Sequence, residues 1–154
     1  MAENEKKVIS EEMIFLDKEL TSQEDILKFI VKSAFENDYV EEEDKLLTAV
    51  KKRENEISTA IGYLIAIPHG KTEAVKSPFI SMVRTSEKVK WTEDNDEMVR
   101  LVFLIGVPEK SEGKLHLKFI SQLSKKLLDD SFRGKLLNKK NKNEIFEQLS
   151  SIEI

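Results

Sequence analysis

Two histidines and no cysteine narrow the chemistry open to this chain. Without cysteine there is no thiolate nucleophile, no disulfide framework and no cysteine-rich zinc site. His69 sits in YLIAIPHGK, residues 63–71, where an apolar run is closed by Pro68 and followed by Gly70 and Lys71. A neutral imidazole keeps one nitrogen lone pair near pH 7 and is a competent nucleophile. Open α/β sheets place their sites outside the ends of strands, and there Pro68 would fix the backbone while Gly70 would let another surface approach. A histidine after a strand also serves as a hydrogen-bonded structural residue, and these residues alone leave both readings open.

Other chemistries fail on spacing. HGKT, residues 69–72, resembles the end of a phosphate-binding P-loop, but that motif needs a glycine at position 65, where this chain has Ile65, and Pro68 lacks the N–H such a loop would offer. There is no G-x-S-x-G elbow and no H-E-x-x-H pair, so neither a serine hydrolase nor a bound metal is expected. The acidic run Glu93 to Glu97 lacks the glycine and terminal glutamate of a calcium loop and reads as a solvated hairpin tip.

These residues need a frame to hold them. VISEEMIFLD, Val8 to Asp17, reads as a strand, and Thr21 with Glu24 or Ser22 with Asp25 supplies a capping box for the helix that follows. In that helix Ile26, Leu27, Ile30, Ala34 and Phe35 share one face, as far as Asn37. A second helix carries Glu41 to Asp44 in its first turn and Lys51, Lys52 and Arg53 in its last, the charge order that complements the helix dipole. Leu46, Leu47, Val50 and Ile57 are expected to face inward.

Tyr63 to Ile67, Phe79 to Arg84 and Val99 to Val107 read as strands of a sheet buried on both sides. Helical spacing returns from Glu112 through His116, Phe119, Ile120, Leu123 and Leu127, then in Phe132 to Leu137 and Glu144 to Leu149. KLLNKKNKNE is a basic surface turn between the last two helices. The expectation is a single layered α/β domain. His116 lies on the inward stripe of its helix, as a buried histidine would, yet also in first turns that favour an incoming anion. Trp91, the only tryptophan, is expected to anchor a hairpin at the core edge.

The net charge of -4 and pI near 5.4 argue against a nucleic-acid partner. MAENEKKVIS lacks the apolar segment of a signal peptide, and Leu101 to Val107 is too short to span a bilayer, so a cytoplasmic chain without direct membrane insertion is expected.

The run ENEISTAIGYLIAIPHG, Glu54 to Gly70, closely resembles the phosphorylation-site signature of the fructose/mannitol class of enzyme IIA domains in the bacterial phosphoenolpyruvate-dependent sugar phosphotransferase system. The match includes an acidic residue seven positions before Ile61, the Ile-Gly pair and the Ile-Ala-Ile-Pro-His-Gly block. One departure is Leu64, where many relatives carry a small residue. The order of elements is similar along nearly the whole chain, giving residues 11–154 as the EIIA type 2 domain and 1–10 as a flexible N-terminus.

The resemblance implies a mixed sheet of about five strands with helices on both faces, as in the phosphotransferase/anion-transport-protein-like fold. It implies a phosphocarrier in which His69 accepts a phosphoryl group from the carrier protein HPr and passes it to a IIB domain for sugar uptake, with no nucleotide, metal or other cofactor. A nitrogen-type regulatory relative shares the signature, so the alternative is a chain whose phosphorylation state is read by other proteins. The resemblance makes Arg53 the stabiliser, its guanidinium holding two phosphoryl oxygens, and His116 the partner that orients the group. Ser58 and Thr59 would add hydroxyl donors, unless they cap local backbone instead. Tyr63 and Leu64 are expected as exposed apolar groups around His69, with carboxylates at the rim.

Overall fold

The sheet is organised by its two most apolar segments. In the computed structural model, which describes residues 7–93, 96–110 and 115–152, β5 (Phe79–Lys90) and β6 (Met98–Pro108) pair antiparallel from Phe79↔Gly106 to Lys90↔Met98. Along β6 the side chains alternate: Val102 and Leu104 join one hydrophobic cluster, while Leu101, Phe103, Ile105 and Val107 join the other. Both faces of the strand are therefore covered, which accounts for the near-continuous apolar run.

The remaining strands flank this pair. β1 (Ile9–Lys18) runs parallel to β5; β3 (Ile65–Ala66) and β4 (His69–Thr72) both run parallel to β6, and β2 (Ala60–Gly62) closes antiparallel on β3. The result is a six-stranded mixed sheet of order β1-β5-β6-β3-β2, with β4 beside β6, one strand more than expected. The chain is already tied down ahead of β1, because the Tyr39 hydroxyl donates to Lys7 C=O and Ile80 N–H to Val8 C=O.

Helices α1 (Gln23–Glu36) and α2 (Glu43–Glu56) cover one face through Ile26, Leu27, Ile30, Leu46 and Val50. Helices α3 (Leu115–Lys126), α4 (Asp130–Asn138) and α5 (Lys142–Ser150) cover the other through Phe119, Leu123, Leu136, Ile145 and Leu149. Ser22 caps α1, its hydroxyl oxygen accepting the Asp25 N–H at 3.1 Å. No helix among the described residues is long and apolar enough to cross a membrane.

Three local expectations are corrected. Tyr63 to Ile67 is not one strand: Gly62 pairs with Ile65, so Tyr63 and Leu64 form a two-residue hairpin turn with φ of 56° and 68°. Both values fall in the left-handed region that a type I′ turn demands. Ile57 does not face inward but is 71% exposed, because α2 ends at Glu56 and the chain turns extended there. Pro68 does not end the run either: its carbonyl accepts the Ile105 N–H at 3.0 Å, and pairing with β6 resumes at once with His69↔Ile105. The proline's missing N–H is tolerated at a break between two short strands at the side of the sheet.

Candidate functional site

His69 opens β4, half-buried, and its side chain is oriented by its own backbone. Nδ1 lies 3.1 Å from the carbonyl oxygen of Ile67. A carbonyl only accepts, so Nδ1 carries the proton in the neutral ring and the lone pair resides on Nε2. Burial holds the His69 pKa below its ordinary value; the bond to Ile67 opposes this, the Arg53 charge reinforces it, and Glu54 pulls back towards the protonated form. The ring is thus biased towards the neutral, nucleophilic state at pH 7.

Gly70, beside His69, is buried against the protein's own helix and not left open for a partner. A Cβ there would lie 2.8 Å from Val50 Cγ2, 3.0 Å from Val50 N and 3.3 Å from Ala49 Cβ. Helix α2 therefore rests directly on β4, and this contact fixes the distance between the helix that carries Arg53 and the strand that carries His69.

Arg53 stands in the last turn of α2 and donates from Nη1 to Ile57 C=O at 2.9 Å. Its guanidinium is close enough to depress the His69 pKa, and among the described residues no carboxylate forms an ion pair with it. Lys51, by contrast, is engaged with Glu24. The structure brings Arg53 and His69 together although sixteen positions separate them in the chain.

Ser58 and Thr59 precede β2. Ile67 N–H donates to Thr59 C=O at 3.0 Å, which ties this segment to the residues that lead into His69. Ser58 Oγ accepts the Ala60 N–H at 3.2 Å, the backbone-capping role. Thr59 is buried, and its hydroxyl donates to Glu54 Oε1 at 2.6 Å, so its proton is committed inside the protein and not offered to the site. His116 is the second residue of α3, and its side chain lies outside the described residues.

Glu54, the acidic residue seven positions before Ile61 in the signature, has no role assigned to it from sequence. It is buried in the last turn of α2, where basic residues are the usual helix-end complement. Trp91 Nε1 donates to its carboxylate at 3.0 Å, Thr59 N–H at 2.7 Å and the Thr59 hydroxyl at 2.6 Å. Trp91 is the expected anchor, 2% exposed, and what it anchors to is this carboxylate.

The family model of the phosphoenolpyruvate-dependent sugar phosphotransferase system, EIIA 2, matches residues 7–152. The chain belongs to the EIIA 2 family. The EIIA 2 domain is 32% identical over 141 residues to the fructose-specific EIIA component of Haloferax volcanii, covering 92% of this chain and 91% of that protein. It is 35% identical over 150 residues to the fructose-specific EIIABC component of Mycoplasma pneumoniae, covering 96% of this chain but only 21% of that longer protein. Among solved structures, the nitrogen regulatory IIA of Neisseria meningitidis superposes with a TM-score of 0.80 at 28% identity, over 92% of this chain and 96% of that one. The mannitol IIA of Escherichia coli, solved with phosphorylated mannitol IIB, gives a TM-score of 0.76 at 26% identity, over 93% and 97%. The mixed six-stranded sheet between two helical layers is the EIIA 2 fold.

Proposed function

We propose that this EIIA 2 domain is a phosphocarrier in which Nε2 of His69 takes a phosphoryl group from a phosphorylated HPr-type histidine carrier and hands it to a IIB component for fructose- or mannitol-class sugar uptake. One observation carries the reading: a half-buried imidazole with Nδ1 committed to Ile67, its pKa depressed, beside an arginine without a carboxylate partner among the described residues. In the transfer, the donor P–N bond breaks as Nε2–P forms, and the donor imidazole leaves with the electron pair. Catalysis then consists of in-line positioning and charge stabilisation. Arg53 supplies two parallel N–H groups for phosphoryl oxygens as the group arrives, and the resemblance assigns His116 the role of orienting it. The IIB partnership is supported by the mannitol IIA relative solved with its IIB. Such transfers between soluble domains belong in the cytoplasm.

Partners would dock on the apolar groups beside the site. Ile57 follows the helix of Arg53 and is 71% exposed, and Glu56 and Glu73 are exposed carboxylates nearby in sequence. Tyr63 is exposed as expected but sits on the hairpin tip; the register offset from Leu101 to Ile105 places that end of β3 roughly 13 Å along the sheet from His69. Tyr63 and Leu64 are therefore peripheral to the contact.

Reconstitution tests the reading. With phosphoenolpyruvate, enzyme I and HPr, the protein takes up acid-labile phosphate; His69→Ala abolishes labelling, and His116→Ala mainly slows transfer onward. Label on the His69→Ala variant would mean the acceptor lies elsewhere. The likeness to the nitrogen regulatory IIA supports a second reading, a regulator, which is favoured if labelled protein passes phosphate to no IIB cysteine from the same cell.

A further inference from the structure

A continuous path of hydrogen bonds leads from the core to the acceptor ring. Trp91 Nε1–H and Thr59 N–H both donate to Glu54 Oε2, at 3.0 and 2.7 Å, and the Thr59 hydroxyl donates to Oε1. Thr59 C=O then accepts the Ile67 N–H at 3.0 Å, and Ile67 C=O accepts Nδ1–H of His69 at 3.1 Å. Glu54 is 6% exposed and Trp91 2%, so water does not compete for the bonds at the carboxylate. The carboxylate has three donors converging on it and no cation facing it among the described residues, an arrangement suited to holding backbone in place. It also stands one position from Arg53, which grips the same segment by donating to Ile57 C=O.

We infer that Glu54 is a positioning residue for phosphoryl transfer: by fixing Thr59, and through it Ile67, it sets the tautomer and direction of the His69 ring. This rests on the phosphocarrier reading, and it adds a residue that never touches the phosphoryl group. The backbone around Ile67 is held to β6 at Ala66 and Pro68 and, on its other side, by the Thr59–Ile67 bond, and among the described residues Glu54 is what anchors Thr59 to a helix. The Glu54 charge also favours the protonated His69 ring, but the bonds themselves transmit geometry, and two substitutions separate the two effects. In Glu54→Gln the side-chain oxygen can accept from Thr59 N–H and Trp91 Nε1–H while the amide donates to the Thr59 hydroxyl, at the cost of turning one hydroxyl. In Glu54→Asp the charge remains, but the carboxylate is drawn back by one bond of about 1.5 Å and cannot reach both Thr59 and Trp91.

The experiment combines two readouts on folded protein, with folding checked by thermal melts. Long-range proton–nitrogen NMR of the imidazoles, assigned with His116→Ala, reports the His69 tautomer without any phosphoryl donor. Initial rates of labelling from phospho-HPr report transfer. We expect Glu54→Gln to keep the Nδ1–H tautomer and a rate within about 3-fold of the parent. Glu54→Asp should show a mixed tautomer and a rate lower by roughly 10- to 100-fold, the effect of displacing a reacting group by about 1 Å. A parent-like tautomer and rate in Glu54→Asp overturn the inference. So does loss of the tautomer in Glu54→Gln, which decides the matter alone if Glu54→Asp does not fold. If the parent protein takes no phosphoryl group from phospho-HPr, the functional reading fails while the tautomer comparison still decides what Glu54 does.

Discussion

Replacing Gly70 by alanine tests whether α2 sets the distance between Arg53 and His69. The added Cβ meets Val50 Cγ2 at 2.8 Å and Val50 N at 3.0 Å, against an ordinary contact of about 3.5–4.0 Å. Val50 is fully buried and β-branched in a helix, so its side chain has little rotameric freedom to retreat, and the second clash is with backbone. Helix α2 must therefore lift from β4 by roughly 0.5–1 Å. Overpacking of this kind destabilises by about 1–3 kcal/mol, and 2 kcal/mol corresponds to a fall in Tm of about 4–8 °C for a chain of this size. With the proposed acceptor His69 on β4 and Arg53 on α2, the same displacement slows labelling from phospho-HPr about 10-fold or more in protein that is still folded. Gly134→Ala is the control: in α4, with nothing within 4 Å of where the new methyl group would lie, it gains helix propensity and stabilises by about 0.5–1 kcal/mol. If Gly70→Ala melts with the parent and accepts phosphate at the parental rate, direct packing of α2 on β4 is not what spaces the site.

Three further outcomes are expected. The pH profile of phosphoryl acceptance should have its acid midpoint below 6.5, the ordinary histidine value, because burial depresses the His69 pKa; Arg53→Ala removes a charge that adds to the depression, so the midpoint rises while the plateau rate falls. The same shift makes the unfolded chain bind more protons than the folded one between the folded pKa and 6.5, so this contribution to stability is intact above that window and declines as pH falls through it; an Arg53→Ala profile with an unmoved midpoint would refute the proximity of the two groups. Leu64→Gly relieves a left-handed φ of 68° at the hairpin turn and should raise stability by about 0.5–1 kcal/mol; a lower Tm would show that Leu64 packing outweighs the backbone strain.

What is legible in the sequence divides along the range of the interactions. The faces of α1 and the alternation along β6 repeat over many residues, and periodicity reports such patterns reliably. The hairpin at Tyr63–Leu64 is not legible, because its turn centre holds neither glycine nor asparagine and Gly62 precedes it. Arg84 lies inside an apolar strand yet is 2% exposed, its charge met by Asp17 on β1 and its Nη1 by Leu136 C=O on α4, a pairing that no local window contains. The fate of Thr59 likewise depends on a carboxylate five positions earlier pointing back from a helix end.

The site shows the same division in sharper form. The residue types of His69 and its neighbours point to the nucleophile, and resemblance supplies Arg53, but neither explains why the pair meets. That follows from Gly70, which lets α2 lie on β4, and from Glu54, which ties the segment after α2 to the strand before His69. Pro68 reads from sequence as the end of a strand, yet it works by allowing one to continue: its carbonyl still bonds to Ile105 while its ring occupies the break, so His69 emerges from the sheet's hydrogen-bonded frame and not from a loose end. An imidazole held within the frame has little freedom to reorient, and the proposed transfer between two imidazoles would depend on that alignment more than on any bond the protein itself must break.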